Sequence, residues 1–346
     1  MVKSLSHWLA LIGLAFFLSS CAKVGPQLVL VEVQGNTMGT YYQVKYVLNA
    51  KQQDDSRFLL KTIKSEIDRR LELVNDQMST YRPNSELSRF NKAEKSLEVS
   101  AATRKVIEAS LTLFKQSNGA FDVTVGPLVN LWGFGPDKKA DKIPSAQLIA
   151  EKQKIVGSRY LSVKGNTLYK AIPELYVDLS AIAKGYGVDV IAEYLREIGL
   201  NNYLVDIGGE LSLKGEKPQN KPWIVAIERP VAGQSVQRII NVGDNAIATS
   251  GDYRNYFESD GIRYSHTIDP KTGKPISHKL VSVTVINKSS MIADGLATAI
   301  TVLGPESGLA FAEKYNLAVY LLVKEGDNVT ESYSSEFVPF FIEEKK

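Results

Sequence analysis

The sequence predicts an α+β protein, with helices packed on mixed, largely antiparallel sheets. Apolar residues recur at three- and four-residue spacing in several stretches, and short extended runs rich in valine, isoleucine and tyrosine lie between and after them. The two kinds of run do not alternate regularly, as a parallel βαβ sheet would require. Several extended runs are joined by short turns, which suits antiparallel pairing.

In chain order, LVLVEV (Leu28 to Val33) and TYYQVKYVL (Thr40 to Leu48) read as a strand pair around the turn QGNTMG. A long amphipathic helix follows from Arg57 to Met78, with Leu60, Ile63, Ile67, Leu71 and Val74 on its apolar face. Helices are also predicted over Thr103 to Gln116, Ser145 to Val156, Ser180 to Ile198, Met291 to Leu303 and Glu306 to Tyr315. The strand candidates are PWIVAIE, RIINV, AIATS, RYSHTID, LVSVTVI, LAVYLLV and FVPFFI. No internal repeat and no low-complexity segment interrupts them.

Length and composition are those of a globular protein: 346 residues, 44% hydrophobic and 23% charged. The net charge is +3, and no long basic run interleaves with aromatics, so no nucleic-acid partner is indicated. The N-terminus MVKSLSHWLALIGLAFFLSSC has a basic start, an apolar stretch from Trp8 to Leu18 and small residues at its end, the order of a secretory signal. That stretch is short for a permanent membrane span of about 20 residues. Leu18-Ser19-Ser20-Cys21 resembles a bacterial lipobox, which would make Cys21 the lipidated first residue of the mature chain. An ordinary cleavable signal with an incidental cysteine is the other reading. Cys21 is the only cysteine, so no disulfide forms within the chain. The organisation expected is a lipoprotein signal peptide over 1–20, a lipidated N-terminus and linker over 21–27, and a catalytic domain over 28–346.

Neither a P-loop nor a dinucleotide-binding glycine fingerprint is present, and of the three histidines only His266 and His278 lie outside the signal segment, so with no structural cysteine no zinc site is expected. Two helix starts stand out instead. In VDLSAIAKGYGVDVIAEYL (Val177 to Leu195), Ile182, Val188, Ile191, Ala192 and Leu195 share a face and Ser180 is the candidate N-cap. Lys184 then sits in the first turn, where the helix dipole disfavours a cation. Either Asp178 neutralises it, or an anion such as phosphate binds the helix start and the ammonium together. Gly185 and Gly187 lower helix propensity and permit a close approach to the backbone. In MIADGLATAITVLG (Met291 to Gly304), Asp294 and Thr298 lie four apart on one face. They would suit a hard cation such as Mg²⁺ with phosphate oxygens completing its shell, or Asp294 simply caps the first turn and Thr298 packs. An anion-facing helix start and a small Mg²⁺ site are the two halves of a diphosphate site.

The MGT turn, the loop STYRPNSELSRFN, GAFDVTVGPL, VDLSAIAKGYGVD, SGDYRNYF with SHTIDP, and ADGLAT together resemble the FAD:protein FMN transferase family, also called ApbE or flavin transferase. The resemblance runs from Asn36 to Leu303. It implies the ApbE-like fold and an enzyme that cleaves FAD, joins the FMN phosphate to a threonine or serine hydroxyl of an acceptor protein, and releases AMP. By the same resemblance Met38, Tyr81, Ala120, Phe121, Asp122, Asp178 and Lys184 contact FAD. Asp294, Thr298 and the backbone carbonyl of Ala181 hold Mg²⁺. His266 is the candidate base, since an ordinary imidazole titrates near 6.5 and accepts a hydroxyl proton at neutral pH; a loop-ordering role is the alternative. The acceptor would be a subunit of a Na⁺-translocating NADH:quinone reductase or Rnf-type complex with an S/T-G-A-T/S-like motif. The lipid anchor would place the domain on the periplasmic side of a Gram-negative cell membrane, with the inner membrane favoured. A FAD pyrophosphatase releasing FMN and AMP, and a flavin-binding lipoprotein without chemistry, are the competing readings.

Overall fold

The computed structural model describes residues 28–135, 143–230, 236–251, 256–259, 262–326 and 328–342. The signal segment, Cys21 and the linker to Gln27 lie outside the described residues, as do residues 252–255 of the SGDYRNYF motif. Among the described residues no helix is long and apolar enough to cross a membrane.

An eight-stranded antiparallel sheet forms the centre. Its strands, in spatial order, are β1 (Val29–Thr37), β2 (Thr40–Leu48), β3 (Tyr203–Ile207), β4 (Glu210–Lys214), β7 (Ala246–Gly251), β10 (Leu280–Asn287), β11 (Ala318–Glu325) and β12 (Asn328–Tyr333). Outside it, β5 (Ile224–Glu228) pairs with β6 (Val236–Asn241), and β8 (Tyr256–Ser259) with β9 (Ile262–Ser265). The α-helices of six residues or more among the described residues are α1 (Leu60–Met78), α2 (Glu86–Lys92), α3 (Ala101–Gln116), α4 (Gly126–Leu131), α5 (Ala146–Gln153), α6 (Ala183–Glu197), α7 (Ser290–Leu303) and α8 (Pro305–Lys314). The mixed, antiparallel architecture is the one expected.

The sheet separates two cores because side chains alternate along a strand. On β3, Tyr203, Val205 and Ile207 pack with Ile63, Ile67 and Leu71 of α1 and with Val188 and Ile191 of α6. Leu204, between them, joins the opposite layer, where Trp223, Ile227 and Ile240 lie with Leu213, Ile247 and Tyr320. The β1–β2 hairpin turns through Met38 and Gly39, whose φ angles of +50° and +73° match the handedness that two-residue hairpin turns favour.

Some segments differ from expectation. FVPFFI is not a strand: Ser335–Phe340 is a 3₁₀ helix, since Pro339 has no N–H to give a ladder and Phe337 fills the core beside Tyr320. RYSHTID breaks after Ser265, leaving His266 and Thr267 between β9 and a two-residue ladder at Ile268–Asp269. The segment VDIGGEL, Val205 to Leu211, spans the β3–β4 hairpin, turning at Gly208 and Gly209 with φ of +62° and +104°. SELSRFN is largely helical, as α2, with Ser85 as its N-cap.

One detail of register opens the molecule. β4 and β7 share only the pairs Leu211↔Ile247 and Ser212↔Ala246, because β4 begins at Glu210, next to the turn. β7 continues past that turn to Gly251, and the gap it borders is part of a cleft of about 750 Å³.

Candidate active site

The cleft wall includes Tyr81, Ala120, Phe121, Asp122, Asp178, Ala181, Lys184, His266, Asp294 and Thr298, so the sheet and its helices bring together segments that are far apart in sequence. Met38 is the exception. It does not line the cleft, and its side chain packs against the core formed with α1 and α6, with Cε 2.9 Å from where a Cβ on Gly187 would stand.

Lys184 is the second residue of α6, which starts later than the sequence suggested. The N-cap position is Ile182, without a side-chain cap, and Ser180 is not the cap: its N–H and hydroxyl both donate to Asp178 Oδ1. Asp178 therefore closes a local turn. The ion pair of Lys184 is with Glu210, which is 4% exposed, and Asp294 and Asp206 also act on the ammonium. Burial disfavours the Lys184 charge, but the Asp294, Glu210 and Asp206 carboxylates outweigh it, and its pKa lies above the ordinary lysine value. Burial, reinforced by the Asp294 charge, pushes the Glu210 carboxyl up. Asp294 is raised as well, chiefly by burial, with Lys184 and the Gly185 N–H pulling it back.

The two helix starts are clamped to each other. Asp294 on α7 accepts the Gly185 N–H in the first turn of α6 at 3.0 Å. In return Asp189 on α6 accepts the Ser290 and Met291 N–H groups at 2.8 and 3.1 Å and the Ser289 hydroxyl. Each carboxylate thus satisfies N–H groups that the other helix leaves unpaired. Gly185 makes the crossing possible, because a Cβ there would stand 2.3 Å from the Ser290 carbonyl oxygen. The close approach read from this glycine is that of a helix backbone.

Other motif residues build walls. Both Asp122 oxygens are taken by protein donors: Oδ1 by the Thr124 N–H and the Thr124 and Ser158 hydroxyls, Oδ2 by the Ser158 N–H. Asp122 therefore fixes the shape of the loop carrying Ala120 and Phe121. Asn91 holds Val177 by two hydrogen bonds of 2.8 Å, anchoring the strand-like approach to Asp178. Tyr81, 69% exposed, stands at the cleft, its N–H donating to the Ser79 hydroxyl within its own turn. His266 lies edge-on to Phe134, with ring centroids 6.3 Å apart.

The residues fit a bound divalent cation in their chemistry. Asp294, Thr298 and Ala181 offer carboxylate, hydroxyl and carbonyl oxygens on one cleft, the donor types a hard cation takes. Three acidic side chains surround one ammonium, and Glu210 Oε2 is buried without a hydrogen-bond partner among the described residues. Among the described residues no group of three or more histidine, cysteine, aspartate or glutamate side chains is arranged for a metal, so any such site depends on the neutral oxygens.

Glu210 and Asp206 are the residues sequence reading missed. Nothing local to VDIGGEL shows that its glutamate turns inward to pair with Lys184.

Comparison with known proteins agrees with this architecture. The ApbE family model matches residues 38–321. A Vibrio cholerae protein named FAD:protein FMN transferase is 52% identical over 337 residues, covering 96% of this chain and 98% of its own. The Escherichia coli K12 protein of the same name is 39% identical over 351 residues, covering 97% of each chain. The solved structure of flavin transferase ApbE from Vibrio cholerae superposes with a TM-score of 0.83 at 50% identity, covering 91% of this chain and all of that one. The apo form of the Pseudomonas stutzeri flavinyl transferase ApbE gives 0.83 at 41% identity, covering 91% and 98%. With its motifs in order along one cleft and its relatives matched nearly end to end, the chain belongs to the ApbE family.

Proposed function

We propose that this protein is a FAD:protein FMN transferase that takes FAD as substrate, attaches FMN through a phosphoester bond to a threonine or serine of an acceptor protein, and releases AMP. The observation that carries this reading is the Lys184 ammonium among Asp206, Glu210 and Asp294 on a cleft also lined by Thr298 and Ala181. The activity named for full-length relatives supports it.

In the reaction the acceptor hydroxyl oxygen bonds to the flavin-side phosphorus and the bond from that phosphorus to the AMP oxygen breaks. His266 takes the hydroxyl proton, and AMP leaves with the bonding electrons. Asp294, Thr298 and the Ala181 carbonyl would hold Mg²⁺, which would supply neutralisation of the diphosphate charge. Lys184 binds the diphosphate from the start of α6 through its ammonium, since the Ala183, Gly185 and Tyr186 N–H groups are already paired with Leu179, Asp294 and Ile182. Asp122 keeps the Ala120–Phe121 loop in place, and Tyr81 and Asp178 border the same space.

The test is incubation of the protein with FAD, Mg²⁺ and a peptide carrying Ser-Gly-Ala-Thr, followed by mass spectrometry. Peptide gaining FMN with equimolar AMP is expected. FMN and AMP without modified peptide would make the protein a pyrophosphatase, and bound but intact FAD would make it a carrier.

The acceptor is assigned to a membrane redox complex of the Na⁺-translocating NADH:quinone reductase or Rnf type, and the enzyme to the periplasmic face of the inner membrane through a lipid on Cys21. The lipobox-like end of the signal segment supports the anchor. Cys21→Ser should abolish lipid labelling and release the protein from membranes; unchanged labelling would reject the anchor.

A further inference from the structure

The chain enters the described domain at one end of the central sheet, and the cleft borders the other. β1 and β2 pair from Val29↔Leu48 at the entry to Thr37↔Thr40 at the turn. Thr40 and Tyr41, just past that turn, line the cleft together with Gly208, Gly209 and Glu210 of the β3–β4 hairpin. At about 3.4 Å per residue, the strands set the two ends roughly 27 Å apart. α1 lies along the same hairpin. Asn75, near its C-terminus, donates to the Thr37 hydroxyl at 3.2 Å, while Asp68 and Lys64 meet the Tyr42 hydroxyl, level with Gly35 in the register. The helix therefore starts at the entry end.

That end carries exposed leucines which the fold does not require. Leu59 and Leu60 are 55 and 52% exposed, and Leu28, the residue before β1, is 39% exposed. Leu59 occupies the N-cap of α1 and makes no side-chain cap, where serine, asparagine or aspartate would stabilise the helix. Phe58 and Ile63, on either side, are buried in the core, so the segment is held firmly while the two leucines stay in solvent. The charges beside them, Lys51, Arg57 and Lys61 against Asp54 and Asp55, nearly balance, and Arg57 pairs with Asp55, so the surface offers apolar area rather than a field.

Where the tether ends selects the partner. Cys21 lies seven residues before Leu28, which allows a tether of at most about 25 Å. A bilayer holding a lipid on Cys21 is thus always within reach of these leucines, and at such effective concentration a modest apolar contact is enough to keep one orientation.

We propose that the entry end, through Leu28, Leu59 and Leu60, rests on the lipid bilayer and holds the cleft facing away from it, roughly 27 Å above the surface. This rests on the lipidation of Cys21. An acceptor anchored in the same membrane must then carry its hydroxyl at that height rather than at the lipid surface.

Because Cys21 is the only cysteine and its thiol is taken by the lipid, one new thiol labels one place. The full chain, with Lys61→Cys beside the leucines or Asn36→Cys by the hairpin turn, is labelled with a fluorophore and reconstituted in phosphatidylcholine vesicles containing nitroxide-bearing lipid. Quenching is expected at position 61 and not at position 36. Leu59→Asp together with Leu60→Asp should lose the quenching at position 61, while the protein still sediments with the vesicles and transfer to a soluble peptide is unchanged. Aspartate suits an N-cap, so this variant keeps its fold. Equal quenching at the two positions, or quenching at position 61 that the aspartates leave untouched, overturns the docking and spares the anchor. Cross-linking between the position-61 thiols of two copies, without quenching, gives the leucines to a second copy and overturns the docking as well. A wild-type chain that carries no lipid label and stays in the supernatant overturns the anchor and this inference with it.

Discussion

Asp294, in the second turn of α7, accepts the backbone N–H of Gly185, in the first turn of α6, at 3.0 Å. The carboxylate that faces the cleft is therefore also a helix cap. The two duties are separable. Asp294→Asn keeps an oxygen for the Gly185 N–H but removes the charge, so folding should be nearly retained while Mg²⁺ binding, read by calorimetry, and turnover are lost. Asp294→Ala should in addition cost about 1–3 kcal/mol in urea denaturation, as a buried donor loses its acceptor. Wild-type Mg²⁺ affinity in the asparagine variant would remove Asp294 from the metal site.

Gly185→Ala tests the helix crossing. Alanine raises helix propensity by about 1 kcal/mol over glycine, but overpacking of this kind costs about 1–3 kcal/mol, and the acceptor of the clash is rigid backbone. A net loss of stability is expected by chemical denaturation. A more stable variant would mean that α6 and α7 have room to separate.

Lys184→Ala should weaken FAD binding by at least about 10-fold, roughly 1.4 kcal/mol, as read by flavin fluorescence quenching. It also leaves Glu210 and Asp294 facing each other without their cation, so the rate should fall further than the affinity. Unchanged FAD affinity would place the diphosphate elsewhere.

For His266 the expected signature is the reverse. His266→Ala should lower single-turnover transfer by roughly 10²–10⁴-fold, as removal of a general base does, while FAD affinity stays near that of the wild type. Equal losses of both, or wild-type transfer, would assign the proton to another group.

Tyr46 is fully buried, its hydroxyl has no hydrogen-bond partner, and burial, with the nearby Tyr194, pushes its pKa up to about 12. An unfolded tyrosine ionises near 10, so the contribution of this group to stability is intact below about pH 10 and lost as pH rises toward the folded value. Tyr46→Phe should be within about 1 kcal/mol of wild type at pH 7, or more stable, because the unsatisfied hydroxyl disappears. Its denaturation midpoint should fall less than that of the wild type between pH 9 and 11. A parallel decline in both would exclude Tyr46 as a source of alkaline instability.

By itself the sequence determined the class of fold, the position of the long helices and the separated motifs of the site. Those are local properties: the three- and four-residue spacing of Ile63, Ile67 and Leu71, or the Asp294–Thr298 pair one turn apart, is set by helix geometry alone. Even FVPFFI carried its own correction in Pro339. Only the tertiary structure decided what Lys184 pairs with, because Glu210 reaches it through the register of β3, β4 and β7 rather than through chain proximity. Asp122 and Met38 are the converse case, motif residues whose side chains the fold spends on a loop and a core.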